Sequence, residues 1–332
     1  MRVLVTGGAG FIGSNFIRYW LLAHPHDQVT NLDALTYAGH LENLRDVENN
    51  PQYTFVRGNI TDTKVVDGLM SGTDLVVHFA AESHVDRSIM DPSIFVTTNV
   101  LGTQVLLAAA LKYKIKRFHH ISTDEVFGHL GPTDAPFTES TPLEPRTPYA
   151  ASKAAADLLV KSYFSTYGLP STITNCANNF GPWCDPEKLI PRFVTNLIDN
   201  QSVPLMGKGE NIRSWLFVLD HCRAIETVIE KGVVGETYCV GGAEETNFTV
   251  TQKILSLLGK SEKLIEYVPN RLGHDFRYAL DDSKLRALGW SPEHDFDTWL
   301  QETVVWYQNN EAWWRPLKAG RPNIDPGVQQ RF

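Results

Sequence analysis

The stretch Val3-Leu4-Val5-Thr6-Gly7-Gly8-Ala9-Gly10-Phe11-Ile12-Gly13 decides the fold. An apolar run enters a glycine-rich turn and continues into a helical pattern from about Ile12. Gly8, Gly10 and Gly13 satisfy G-x-G-x-x-G, and Gly7, Gly10 and Gly13 satisfy G-x-x-G-x-x-G. Both spacings meet one physical need. The turn requires permissive dihedrals, a pyrophosphate must approach bare backbone, and the following helix N-terminus must offer free N–H groups. A glycine turn by itself is common, so its surroundings carry the argument. Asp33 ends a second apolar run 20 residues after Gly13 (33 − 13). An acid there accepts hydrogen bonds from a ribose 2′-OH and repels a 2′-phosphate, which selects NAD over NADP.

Outward from this stretch, short β-branched runs alternate with longer helical patterns, the mark of βαβ units around a parallel sheet. Strands are expected at Arg2–Thr6, Val29–Leu32, Thr54–Val56, Leu75–Phe79, Arg117–Ser122 and Ser171–Asn175, and helices at Ile12–Leu22, Lys64–Met70, Asn99–Tyr113 and Tyr149–Tyr167. Pro148 is expected just ahead of the last helix. Beyond about residue 180 strands become sparse, and helical stretches at Leu189–Asp199, Asp220–Lys231 and Thr249–Leu258 are separated by loops. The fold class is α/β: a Rossmann-type doubly wound parallel sheet with a smaller C-terminal α+β substrate lobe. Residues 1–178 form the NAD-binding domain with the catalytic residues, and 179–332 mainly the nucleotide-sugar lobe.

Bulk properties exclude several classes. With 332 residues and 42% hydrophobic content the chain can bury a large core. A formal net charge of −8 argues against nucleic acid as a partner. There is no signal-peptide pattern and no run approaching the 18 apolar residues of a membrane span, so a cytoplasmic protein without a membrane partner is expected. Cys176, Cys184, Cys222 and Cys239 show no C-x-x-C spacing, so no metal site is expected and the thiols read as free.

Tyr149-Ala150-Ala151-Ser152-Lys153 places a tyrosine and a lysine at i, i+4 on one helix face. A nearby ammonium lowers a phenol's pKa and makes it a usable base. The expected strand Arg117–Ser122 runs into Thr123-Asp124-Glu125. Acids at the C-terminal end of a parallel strand lie where α/β ligands bind, and beside a nicotinamide they form an acid/base pair able to eliminate water. A solvated strand end is the alternative for the acids, and a surface helix pair for Tyr149 and Lys153.

The segments TGGAGFIGSNF (6–16), LDALTYAG (32–39), HFAAESHVDRSI (78–89), ISTDEVFG (121–128), TPYAASK (147–153), NNFGPW (178–183), PEKLIPRF (186–193), WLFVLDHCRAI (215–225), GHDFRYALD (273–281) and TVVWYQNNEAWW (303–314) closely resemble the dTDP-glucose 4,6-dehydratases of the extended short-chain dehydrogenase/reductase family, nearly end to end. The resemblance implies a deoxysugar-pathway lyase in which Tyr149 and NAD oxidise C4 of the sugar, the residue at Glu125 removes the C5 proton, that at Asp124 protonates the leaving C6 hydroxyl, and the hydride returns to C6. It implies cofactor contacts at Gly7, Gly10, Phe11, Ile12, Gly13, Asp33, Ala34, Leu35, Thr36, Asn59, Ile60, Phe79, Ala80, Ala81, Ser83, Thr98 and Asn179, besides Tyr149 and Lys153. Ser83, Thr123 and Asn178 would meet the sugar or diphosphate. Lys188, Leu189, Arg213, Asn247, Arg271 and His274 would form the nucleotide-diphosphate clamp, with Met206 facing the base and Pro204 a further substrate contact. A homodimer formed through the helices at 99–113 and 149–167 is implied as well. The chain departs from the usual residues at Asn59, Phe127, Phe180, Met206, Ser214, Leu219 and Leu272. A UDP-sugar 4-epimerase or decarboxylase is the alternative enzyme, and an NAD-binding protein without catalysis the alternative class.

Overall fold

The computed structural model describes residues 1–320; the last twelve positions of the expected substrate lobe, 321–332, lie outside the described residues. Twelve strands are described: β1 (Arg2–Thr6), β2 (Gln28–Asp33), β3 (Tyr53–Arg57), β4 (Leu75–His78), β5 (Arg117–Thr123), β6 (Ser171–Cys176), β7 (Asn178–Phe180), β8 (Val203–Met206), β9 (Ile212–Phe217), β10 (Thr237–Val240), β11 (Ala243–Thr246) and β12 (Ile265–Val268). Seven form a parallel sheet in the order β10-β6-β5-β4-β1-β2-β3. The order reverses between β1 and β4, which puts the topological switch point, and the ligand crevice, beside the glycine turn.

Burial on both faces explains the continuous apolar character of these strands. On one face, Phe16, Ile17 and Trp20 of helix Phe11–Ala23 join Ile225 and Ile229 of helix Val218–Lys231 over Val3, Val5 and Val77. On the other, Val66 and Met70 of helix Thr63–Met70, Leu106, Leu107 and Ala110 of helix Thr103–Tyr113, and Val160 of helix Pro148–Tyr167 cover Leu4 and Val76. Thr147 caps the last of these through its hydroxyl, which accepts from the Ala150 N–H. Pro148 is therefore the first residue inside the helix and not a flanking one, a position where its missing N–H costs nothing.

The strands that the sequence suggested are present, with ends shifted by at most one residue. Beyond 180 the chain holds more β-structure than expected. The pieces are only 4–6 residues long, and Pro204 interrupts the pattern of β8. The second lobe contains the three-stranded sheet β11-β9-β7 and the pair β12-β8, packed on helices Leu189–Ile198, Asn247–Leu257 and Phe296–Asn309. The chain also returns to the nucleotide sheet after residue 178, because β10 pairs with β6.

The expected helix at Asn99–Tyr113 starts earlier, at Ser93, and its Val96–Gly102 segment is π-helical. A Cβ on Gly102 would stand 2.4 Å from Ile60 Cδ1, so glycine permits the close approach there. Ser93–Tyr113 is also long and apolar enough to cross a membrane by length and composition, contrary to the expectation from uninterrupted apolar runs. Phe95, Leu106, Leu107 and Ala110 on this stretch are packed into the protein's own core.

Candidate active site

The glycine turn is built for a ligand's backbone approach. Gly7 has φ +74°, and a Cβ there would lie 2.5 Å from Ala80 N. A Cβ on Gly13 would lie 2.4 Å from the Gly7 carbonyl oxygen. No side chain caps the helix that starts after Gly10, so its first N–H groups face outward with the positive end of the helix dipole. Asp33, at the end of β2, accepts from the Ala9 N–H at 2.9 Å and the Leu35 N–H at 2.8 Å. Each oxygen keeps a further lone pair for a ribose hydroxyl. Bare backbone, an uncapped helix start and a fixed carboxylate together suit the pyrophosphate and ribose of NAD.

A cavity of about 470 Å³ runs from this turn to the second lobe and is lined by both. Every site residue expected from the sequence lines it except Leu35 and Asp124. Leu35 sits at φ 53° and contributes its N–H to Asp33, so it shapes the turn. Asp124, 1% exposed, is sealed behind the wall in the short 3-10 turn Asp124–Phe127, whose first residues point to different sides. Glu82, His84, Asp86, Glu187, Arg192 and Trp215 also line the cavity and were not singled out, although all lie within three positions of residues that were.

β5 delivers the acids. The Thr123 hydroxyl donates to Asp124 Oδ1 at 3.1 Å and accepts from the Glu125 N–H at 3.3 Å, fixing both backbones. Asp124 Oδ2 and Glu125 Oε2 are buried and have no hydrogen-bond partner among the described residues. Burial, with Glu125 next to it, pushes Asp124 up to about 8, so this carboxyl is protonated at neutral pH. Burial also raises Glu125, but Arg271, Arg213 and Lys188 pull it back. Both carboxyl groups are thus raised by burial, but only Glu125 has three cations opposing the rise ahead of any other group.

Tyr149 and Lys153 share a helix face, yet Lys153 Nζ donates to the Ile121 carbonyl at 2.6 Å and lies 3.4 Å from His120 Nε2. The expected lowering of the Tyr149 pKa is absent: burial and the charge of Glu125 hold the phenol well above its usual value. The i, i+4 spacing aligns the side chains but leaves the lysine's reach free, and here it reaches down to the sheet.

At the far end of the cavity, Lys188 Nζ donates to the Ser83 carbonyl at 3.0 Å. Arg213, 6% exposed, lies over the Tyr278 ring at 4.5 Å, with Nη1 and Nη2 donating to the carbonyls of Ile212 and Asp275 at 2.7 and 3.0 Å. Asn178 Oδ1, Asn247 Oδ1, Trp215 Nε1 and Arg271 Nε are buried without a protein partner among the described residues. Polar atoms in this state mark a ligand surface, because burying them unpaired is costly. Away from this cavity, His24, Glu226 and Glu230 offer ligand atoms within 4.8 Å of one another, although the sequence suggested no metal site. His24 Nε2 is there already paired with Glu226 at 2.7 Å.

The profile of the GDP-mannose 4,6 dehydratase family matches residues 4–303. The chain belongs to this family. It is 50% identical over 325 residues to a dTDP-glucose 4,6-dehydratase of Streptomyces niveus, covering 96% of each chain. It is 52% identical over 312 residues to the low-salt glycan biosynthesis protein Agl12 of Haloferax volcanii, covering 94% of this chain and all of that one. Among solved structures, the dTDP-glucose 4,6-dehydratase DesIV of Streptomyces venezuelae, with NAD and TYD bound, superposes with a TM-score of 0.93 at 50% identity, covering 96% of this chain and 100% of that one.

Proposed function

We infer that the chain is an NAD-dependent hydro-lyase that converts dTDP-glucose to dTDP-4-keto-6-deoxyglucose. One observation carries the reading: two adjacent carboxyl groups, Asp124 and Glu125, each with a buried oxygen that has no partner among the described residues, beside Tyr149. An epimerase has no water to eliminate and no use for this pair. Similarity at about half of all positions to named dTDP-glucose 4,6-dehydratases supports the substrate.

When bound, NAD supplies the hydride acceptor at C4, the later donor at C6, and a positive charge beside the phenol. Tyr149 can take the proton of the C4 hydroxyl only as the phenolate, which the positive charge of bound NAD would favour against the burial and the Glu125 charge that otherwise keep the phenol protonated. The resulting ketone makes the C5 proton acidic, and the Glu125 carboxylate removes it. Asp124, protonated at neutral pH, gives its proton to the C6 hydroxyl, which departs as water. Asp124 is buried and does not line the cavity, so this transfer requires its side chain to reorient toward the sugar. Thr123, Ser83 and Asn178 hold the sugar, while the described part of the second lobe mainly holds the nucleotide, with Lys188, Arg213, Asn247, Arg271 and His274 around the diphosphate.

Incubation with dTDP-glucose and UDP-glucose in parallel, followed by mass spectrometry, tests the assignment. The dTDP-sugar should lose one water and the UDP-sugar should be processed poorly. A product of unchanged mass would replace the dehydratase reading by an epimerase. Arg213→Ala should raise KM for dTDP-glucose at least about tenfold while kcat changes much less, because a charge contact present in ground and transition states contributes uniform binding. Steady-state kinetics check it, and a kcat loss at constant KM would remove Arg213 from the clamp.

A homodimer is part of this reading. Ala109, Ala110, Ala154 and Ala156 are buried within the chain itself, so they cannot form the contact. The outward face of the same helices instead shows Val96, Leu101 and Leu158 at 56, 50 and 57% exposure, with Ala108 and Ala151 also exposed. Leu158→Lys together with Leu101→Glu should convert a dimer to a monomer in sedimentation at micromolar concentration; a monomeric parent protein would refute the pairing. Four buried free thiols fit a reducing compartment, and we place the protein in the cytoplasm.

A further inference from the structure

Lys153 does not stand alone in the sheet. It is 4% exposed, and behind it lie His120 and Asp157, 0 and 2% exposed. Tyr149, Lys153 and Asp157 follow one another at i, i+4 and i+8, forming a single stripe on the inner face of helix Pro148–Tyr167. The His120 Nε2 atom lies 3.4 Å from Lys153 Nζ and 3.3 Å from Asp157 Oδ1; on a neutral ring it can accept from the ammonium or donate to the carboxylate but not both, and Asp157 Oδ1 has no hydrogen-bond partner among the described residues. Asp157 Oδ2 accepts from the Ser122 hydroxyl at 2.8 Å and from Asn175 Nδ2 at 3.1 Å. His120 Nδ1 has no partner among the described residues.

The dehydratase chemistry assigned above uses neither His120 nor Asp157. Packing does not demand their charge either: an amide in place of the Asp157 carboxyl would still accept from Ser122 and Asn175. A buried carboxylate is expensive to retain unless a cation repays it. Among the described residues, the buried cation that acts most strongly on it is Lys153, with Lys161 a weaker one on the same helix.

We propose that Asp157, lying across His120 from Lys153, is the buried counter-charge that keeps Lys153 an ammonium, and that His120 helps to fix this ammonium against β5, which makes His120 and Asp157 positioning residues for the Tyr149 chemistry. The dehydratase reading enters only through the kinetic arm of the test.

The electrostatics of the neighbourhood agree. Burial lowers Lys153 to about 8, and Asp157 is the first group opposing that fall. Burial raises Asp157 to about 6, and Lys153 is the first group opposing it. The other titratable groups facing the pair are Cys176 on β6, held protonated by burial; His78 on β4, held neutral; Lys161 one turn further along the helix beside Asp157; and Asp124 beyond Cys176. His120 itself is kept neutral by burial and by Lys153. Removing Asp157 leaves Lys153 with desolvation and no compensating carboxylate, so its pKa must fall.

The test follows the side-chain resonances of Lys153 in protein labelled with 15N,13C-lysine, assigned by loss of the signal in Lys153→Met. In the parent protein Lys153 should titrate near pH 8, and in Asp157→Asn at least about one unit lower, the size of shift that an opposite charge close by produces. Asp157→Glu should restore most of the difference. Circular dichroism establishes that the variants are folded. If Asp157→Asn does not fold, Lys153→Met reads the same coupling from the other side, since its Asp157 carboxyl resonance should titrate above that of the parent. In turnover of dTDP-glucose, the alkaline limb of kcat for Asp157→Asn should move to lower pH with KM within about twofold, because substrate binding is untouched. A Lys153 titration identical in parent and Asp157→Asn, or an unmoved Asp157 in Lys153→Met, overturns the proposal. A displaced titration in a protein that does not dehydrate dTDP-glucose would sustain it and defeat the substrate reading instead.

Discussion

Glu125→Gln should oxidise its substrate and then stop. On mixing with dTDP-glucose, absorbance of reduced nicotinamide should rise and persist, while deuterium from heavy water fails to enter C5, because an amide cannot take that proton. Asp124→Asn should behave differently: C5 exchange continues, and loss of the C6 hydroxyl slows because no carboxylic acid is left to donate. Each substitution should cost about 10²–10⁴-fold in dehydration, the range of a general acid or base. Rapid-scan absorbance and mass detection of deuterium read both variants. The buried position of Asp124 and its pKa of about 8 add a pH expectation. Its acid form is present below that value and is lost above it, so the dehydration step should decline as pH rises through about 8 in the parent. Full dehydration by Glu125→Gln would make the acid pair structural and remove the main mechanistic support for a dehydratase.

The parts of this site that could be read from sequence are those where chemistry constrains residue type and spacing together. The Gly7/Gly10/Gly13 turn is one, because a Cβ at the first or third position collides with backbone. The Asp33 position at the end of β2 is another, and the placement of Thr123, Asp124 and Glu125 at the end of β5 follows from the rule that ligands gather at the C-terminal ends of parallel strands. What stayed hidden depends on side-chain direction. Adjacent residues in a 3-10 turn face different ways, so the sequence put Asp124 and Glu125 together where the structure puts only Glu125 on the cavity wall. The helical spacing of Tyr149 and Lys153 suggested a direct partnership, while the ammonium bonds to Ile121 and approaches His120, a strand residue 33 positions earlier with no motif of its own. Long-range pairing is equally invisible to local pattern: nothing in Thr237–Val240 says that this short strand completes the first sheet and not the second. The π-helical turn at Val96–Gly102 is likewise set by contact. Asn99 inside it accepts from the Glu82 N–H at 2.9 Å and donates to Ser152 Oγ at 2.8 Å, tying the cavity wall after β4 to the Tyr149 helix.

Gly7→Ala should destabilise the protein and empty the cofactor site together. Its φ of +74° costs an L-residue about 1–2 kcal/mol before any contact is counted. The new methyl would then stand 2.5 Å from Ala80 N, 2.6 Å from Ala80 Cα and 2.9 Å from Phe79 C. These are backbone atoms just past β4 and cannot rotate away, so the chain that carries Phe79, Ala80 and Ala81 into the cavity has to shift, at about 1–3 kcal/mol for overpacking of this kind. The sum is about 2–5 kcal/mol, measured as a lower midpoint in urea unfolding at unchanged slope. Because the displaced backbone is cavity wall, NAD affinity should fall in the same variant, measured by calorimetric titration of the stripped protein. Gly68→Ala supplies the control. Gly68 lies exposed inside helix Thr63–Met70, with nothing within 4 Å of an added Cβ, so alanine there should stabilise by up to about 1 kcal/mol and leave NAD binding alone. A Gly7→Ala protein as stable as its parent and still binding NAD would show that the turn tolerates a side chain, and the physical reading of the glycine fingerprint would fail at its first residue.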